Sequence, residues 1–261
     1  MRLLKHEMRQ GLISLAIWTG SIAFLMVICI ILFPEMKGQM EDVSDVFASM
    51  GRFTAAFGMD RLSFGTLTGF YAIECGNILG LGGAFYAALT GITALAKEEK
   101  EHTAEFLLTH PITRTGIVSA KLASVLLQIS VMNALILAIS LVSILFIDEE
   151  IPWKELLLFH LAYYLLQIEI GGICFGVSAF LRRGGLGIGL GLACLLYFLN
   201  LIANISESAE FLKYITPFGY ADGADIVTEE ALNGPMVAVG MCMAVIGIGA
   251  AYWKYNRKDI Q

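Results

Sequence analysis

The sequence predicts an all-α integral membrane protein with six transmembrane helices and both termini on the cytoplasmic side. Three observations carry that class. Apolar residues make up 57% of the 261 and charged residues only 15%, with a mean hydropathy of +0.73. Soluble domains average about 45–50% apolar and about 25% charged. Several windows also exceed the roughly 18 apolar residues that mark a membrane span. Finally, the basic residues divide unequally between the connecting segments. Of the 17 lysines and arginines, Lys37, Arg52, Arg61, Lys154 and Lys213 lie on one side, and all the others lie on the side that holds both termini. Basic residues mark the cytoplasmic face. The connecting segments are too short to fold separately, so residues 1–261 read as a single transmembrane domain.

The stretch MRLLKHEMRQGL interleaves Arg2, Lys5 and Arg9 with Leu3, Leu4 and Met8. It reads as a short interfacial amphipathic helix leading into the membrane, with an ordinary basic flank as the plainer alternative. Span one covers about 12–33 and is expected to close at Pro34. It is too long for a signal-peptide core and lacks a small-residue cleavage site, so it is expected to remain as an anchor. Residues 34–66 form the longest loop, with Glu35, Glu41, Asp42, Asp45 and Asp60. Its middle, VFASMGRFTAAFGM, is amphipathic enough to lie on the membrane surface. Span two, about 67–96, is long, which implies tilt or a non-spanning first turn. Span three covers about 117–147 and is followed by the acidic DEEIPWKE. Span four covers about 156–181, Arg182 and Arg183 make a short turn, and span five covers about 186–205. A second outer loop, 206–234, precedes span six at about 235–253 and a short basic tail. The net charge of −6 belongs to the outer loops and implies no nucleic-acid partner.

Most site chemistry is absent. No G-x-x-x-x-G-K-[ST] loop is present, so the chain itself cannot cradle ATP phosphates. Glycines 184, 185, 187, 189 and 191 open a membrane helix with no preceding strand. Gly187 and Gly191, at i and i+4, suit close helix packing instead. Cys29, Cys75, Cys174, Cys194 and Cys242 all fall in apolar spans and never as C-x-x-C, so they read as small core residues. The four histidines form no H-E-x-x-H. No catalytic residue, metal site or bound cofactor is expected in this chain.

Two acids fall inside spans, Glu74 in the outer part of span two and Glu169 near the middle of span four. An acid at mid-membrane costs on the order of 3 kcal/mol, so such residues face the bundle or a wet cavity. Either could line a substrate path or a dimer seam. The alternative is a protonated carboxyl bonded to a neighbour such as Asn77, Asn133, Gln128 or Asn200, or, for Glu74, snorkelling to the outer surface.

The remaining feature is Lys97 to Lys121, KEEKEHTAEFLLTHPITRTGIVSAK, the one long mixed-charge segment between apolar runs. Glu98, Glu101 and Glu105 share a face of a short helix, and Ala104, Leu107 and Leu108 form an apolar face. Pro111 ends that helix near His110. Thr113 or Thr115 can cap the next one, which begins close to Ile117. Glu98, Thr103, Glu105, Leu107-Leu108, Pro111, Thr113-Arg114 and Lys121 together resemble the cytoplasmic loop between spans two and three of type-2 ATP-binding-cassette (ABC) export permeases. His102 stands where that family usually has Gly, and Thr113 where Ser is common. PFGYADGADI (Pro217 to Ile226) is similar to a Pro-Phe segment before the family's last span, and KYNRKDI to its basic ending.

The resemblance implies a permease subunit in the plasma membrane of a prokaryote, paired with a second permease subunit, identical or related. It also implies a separate ATP-binding-cassette ATPase subunit that carries the ATP and Mg. Within the loop it implies a coupling helix in which Glu98, Glu101, Thr103, Glu105, Phe106, Leu107, Leu108, Pro111, Arg114 and Lys121 serve ATPase coupling. Two rival classes stand beside it. An ATP-independent, ion-coupled carrier or channel would want laddered intramembrane charges, and an immunity or sensor subunit would not transport at all.

Overall fold

A computed structural model describes residues 2–49, 51–59, 61–97, 113–181 and 185–257. The described residues are helical, with no strand among them. In chain order they form α1 (Arg2–Ser49), α2 (Arg52–Ala56), α3 (Leu67–Phe70), a π-helical turn (Tyr71–Cys75) and α4 (Gly76–Thr93). These are followed by α5 (Arg114–Phe146), α6 (Trp153–Ser178), α7 (Leu186–Ile205), a 3-10 helix (Glu207–Tyr214), α8 (Gly223–Glu229) and α9 (Gly234–Arg257). Among the described residues, six stretches are long and apolar enough to cross a membrane: Leu3–Gly38, Leu67–Thr93, Arg114–Phe146, Trp153–Ser178, Leu186–Ile205 and Gly234–Arg257.

The first helix differs from expectation at both ends. The N-terminal stretch is helical but continuous with the span, and no separate interfacial helix precedes it. Pro34 lies inside α1 and does not end it. A proline removes one hydrogen bond and crowds the preceding turn, but neighbouring helices in a membrane bundle can offset that loss. Here Phe33 is fully buried with its ring 5.2 Å from Phe70, and Lys37 donates to Glu149 at 2.8 Å. Both sides of the proline are therefore anchored, and the helix runs on through residues expected to be loop.

Span two begins at Thr66, whose hydroxyl accepts from the Gly69 amide at 3.2 Å and so caps α3. The π turn at Tyr71–Cys75 then inserts extra backbone before α4. Span three begins at Arg114, three residues earlier than expected. Of the two threonines open as caps, Thr113 is the one used, accepting from Gly116 at 3.1 Å.

The centre of the bundle is the α4–α6 pair. The α6 helix also packs along α9, α5 packs on α1, and α7 packs on α4. Small residues set these distances, as expected where lipid supplies no hydrophobic drive between helices. A Cβ on Gly91 would stand 2.5 Å from the Gly171 carbonyl, and one on Gly176 would stand 2.5 Å from the Gly247 carbonyl. On α7 the packing glycine is Gly189, against Ile92. The space around Gly187 and Gly191 is open, because the face of α7 that meets α4 carries positions 189, 193 and 196. Of the cysteines, Cys75 and Cys174 are buried, whereas Cys242 lies on an exposed face of α9.

Candidate functional site

Polar side chains gather at three levels. The first is the end of the bundle that flanks residues 98–112. Glu98, Glu101, Thr103, Glu105, Phe106, Leu107, Leu108 and Pro111 lie outside the described residues. Arg114 and Lys121, the other two coupling candidates, lie within them. Arg114 opens α5 and donates to the main-chain carbonyls of Tyr255 and Asn256 at 3.4 and 3.5 Å. A cation at the carbonyl end of α9 is favourable both as a cap and against the helix dipole. Ser119 and Tyr252 join the same two helices at 2.8 Å. Lys121, two turns further along α5, is only 1% exposed and donates to Glu7 of α1 at 3.1 Å. It is an internal tie that holds α5 on α1, which a sequence pattern alone does not distinguish from a surface contact. Lys97, at the other edge of the undescribed segment, donates to Gln10 of α1 at 2.7 Å. Lys97, four residues past the end of α4, and α5 are thus both bonded to α1, and α5 is bonded to α9 as well.

The second level is the middle of α6. Glu169 is fully buried, sixteen residues and about 24 Å along the helix axis. Its partner is none of the four amide side chains weighed from the sequence. Asn133 donates to Gln167 at 2.7 Å, Gln128 bonds Tyr86 and Ser124, and Asn77 accepts from Tyr197. The Asn200 side-chain oxygen has no hydrogen-bond partner among the described residues. Instead, the Tyr220 hydroxyl donates to Glu169 at 3.0 Å, and Gly240 of α9 leaves the notch that the carboxylate occupies. Burial, and then the Glu169 carboxylate, raise the Tyr220 hydroxyl well above the ordinary phenol range, which keeps it the donor. The second Glu169 oxygen has no partner among the described residues. Glu74 sits half-buried in the π turn, with no hydrogen bond or ion pair among the described residues. The two acids share no partner.

The third level is the outer segment 206–233, which folds into the bundle. Phe218, Tyr220 and Ala221 are buried, and the Thr216 hydroxyl donates to the Leu196 carbonyl at 2.8 Å. Asp222 caps α8 by accepting from Ala224 and Asp225, and it also accepts from Asn204 at 2.9 Å and from Arg61 at 3.4 Å. Arg61 and Lys213 both pair with Asp225. Beneath this cover lies a cavity of about 50 Å³ that includes Asn77, Tyr163, Tyr197 and Asn200 in its wall. Such a volume holds a few waters at most. A further buried polar group starts from the π turn itself, whose first residue, Tyr71, bonds Ser140 at 3.1 Å and His160 at 2.8 Å.

Sequence reading missed Tyr220, Asp222 and the Tyr71 group. Asp222 left a visible signal, an Asp directly before a short helical stretch. The others depend on contacts between segments remote in sequence. Among the described residues, no three His, Cys, Asp or Glu side chains converge as metal ligands. Among the described residues the arrangement thus offers hydrogen-bonded helix ends, two buried acids (Glu169 and Asp222) and an outer segment folded into the bundle.

The model of a family described as ABC-2 family transporter protein matches residues 1–260. A search of curated proteins finds no match. Six apolar helices and a family match along nearly the whole chain lead to one conclusion: this multi-pass membrane protein belongs to the ABC-2 transporter family and is a transporter permease.

Proposed function

We propose that this permease is the membrane-spanning subunit of an ABC exporter, one transmembrane domain that forms the export pathway with a second permease subunit, identical or related. Separate ATP-binding-cassette subunits drive it and carry the ATP and Mg. The chain itself binds no cofactor and no nucleic acid. Both termini and the 97–121 segment face the cytoplasm of a prokaryotic cell, and the protein resides in the plasma membrane.

The observation that carries the coupling mechanism is the bonding of Lys97 and of α5, on either side of residues 98–112, to other helices of the bundle. Closure of the ATPase pair pushes on residues 101–110. Glu98, Glu101, Thr103 and Glu105 hold the docking geometry, Phe106, Leu107 and Leu108 fill an apolar groove, and Pro111 fixes the turn. The push passes to α9 through Arg114 and to α1 through Lys97 and Lys121. The described helices then tilt as a unit and release the outer segment. Glu169, held by Tyr220, and Glu74 are the pathway or gate acids in this scheme.

The test is tagged purification in mild detergent from host membranes, with and without the pair Glu105→Lys and Leu108→Lys. An ATPase should accompany the unaltered chain and be lost from the double variant. A chain purified without any ATPase would refute the coupling reading and favour the ion-coupled carrier, in which Glu74 and Glu169 take the central role.

A further inference from the structure

The cavity beneath the outer segment is built around one tyrosine. Gly76 and Gly80, one turn apart on α4, leave the space that Tyr163 of α6 fills. A Cβ on Gly76 would stand 2.5 Å from the Tyr163 hydroxyl, and one on Gly80 would stand 3.1 Å from its ring. Tyr163 and both glycines belong to the cavity wall. Tyr163 is only 4% exposed, and its hydroxyl has no hydrogen-bond partner among the described residues. Asn200 and Asn204 of α7 belong to the same wall, and each has a buried side-chain oxygen without a partner among the described residues. Asn200 is itself 7% exposed. Buried polar groups that protein atoms leave unmet are ordinarily met by ordered water.

We infer that this cavity is an internal hydration site, in which bound water bridges the Tyr163 hydroxyl to Asn200 and Asn204 and so joins α6 to α7 under the outer segment. Size and chemistry both fit. A volume of about 50 Å³ admits a few waters at ~10–15 Å³ each. The open groups are a hydroxyl and two amide oxygens, and water can accept from the first while it donates to the others. Asp222, on the same wall, already accepts from the amides of Ala224 and Asp225, from Asn204 and from Arg61. The acceptors that stay open are therefore neutral, which suits water rather than a cation. Bound water also lets the outer segment part from the bundle without baring these groups, since each keeps a partner. The inference does not depend on ATP coupling.

The test is X-ray hydroxyl-radical footprinting of the full chain in nanodiscs, in which radicals form from the water beside a side chain and mass spectrometry locates the oxidised residues. Tyr71 serves as the reference, since it is as deeply buried but bonded to Ser140 and His160. In the unaltered chain Tyr163 is expected to be oxidised several-fold faster than Tyr71. Asn200→Leu, which places an apolar side chain of similar size in the wall, should bring Tyr163 down to the rate of Tyr71. Asn200→Ser, which keeps a hydroxyl there, should leave it fast. A damaged fold would raise the labelling of Tyr163, so the fall in Asn200→Leu cannot be mimicked by unfolding. Equal rates for Tyr163 and Tyr71 in the unaltered chain would overturn the proposal. So would fast labelling that persists in Asn200→Leu, the sign of water entering as the outer segment opens. Slower labelling when sodium or potassium chloride replaces choline chloride would also overturn it, by assigning the site to a monovalent cation.

Discussion

Lys121 and Glu169 illustrate how a charged side chain survives inside an apolar bundle. Each is buried, and each has a partner from an element remote in sequence: Glu7 for Lys121 and Tyr220 for Glu169. Removing one partner leaves a buried polar or charged group to be desolvated without return. Glu7→Ala is therefore expected to destabilise the protein by about 1.5–3 kcal/mol, the range for hydrogen bonds to charged groups. The exchanged pair Glu7→Lys with Lys121→Glu should recover part of that loss. Thermal unfolding in detergent of the two variants reads the difference, and equal destabilisation would show that Lys121 does not depend on Glu7. Tyr220→Phe removes one hydroxyl from the outer segment. Its expected effect is about tenfold faster hydrogen exchange across residues 216–226, corresponding to roughly 1.4 kcal/mol of lost local protection.

Among the elements, helix contact is governed by where the chain omits a side chain. Gly91 and Gly176 face backbone carbonyls of α6 and α9, which cannot rotate away as a side-chain tip can. Gly176→Ala should cost about 1–3 kcal/mol through forced separation of α6 and α9. Gly187→Ala, at an open position on the surface of this protomer, should leave the stability of the isolated chain nearly unchanged. A chain in which both substitutions cost the same would contradict the assigned packing faces. The continuation of α1 through Pro34 follows the same logic. A local rule predicted an end there, and contacts of Phe33 and Lys37 with other elements carried the helix past it.

At the scale of the whole molecule, the asymmetry of lysine and arginine predicts orientation. Single cysteines at positions 6 and 257 of a cysteine-free chain should react with a membrane-impermeant maleimide only after the membrane is opened. A cysteine at position 150 or 210 should react in intact cells. Labelling of residue 6 from outside would reverse the topology.

Composition and long apolar runs sufficed for an all-helical, six-span membrane protein, because hydrophobic length is a local property of a chain in a bilayer. The polar loop and its spacing likewise pointed to the permease family, since that pattern lies in contiguous residues. The positions of Glu74 and Glu169 inside spans were equally legible. Tertiary structure alone decided what those acids meet, which of several glycines are packed, that α1 passes Pro34, and that Lys121 is an internal tie. Each of these outcomes depends on two segments dozens of residues apart arriving at the same place. Such a contact leaves no local pattern, because either partner alone is compatible with many surroundings.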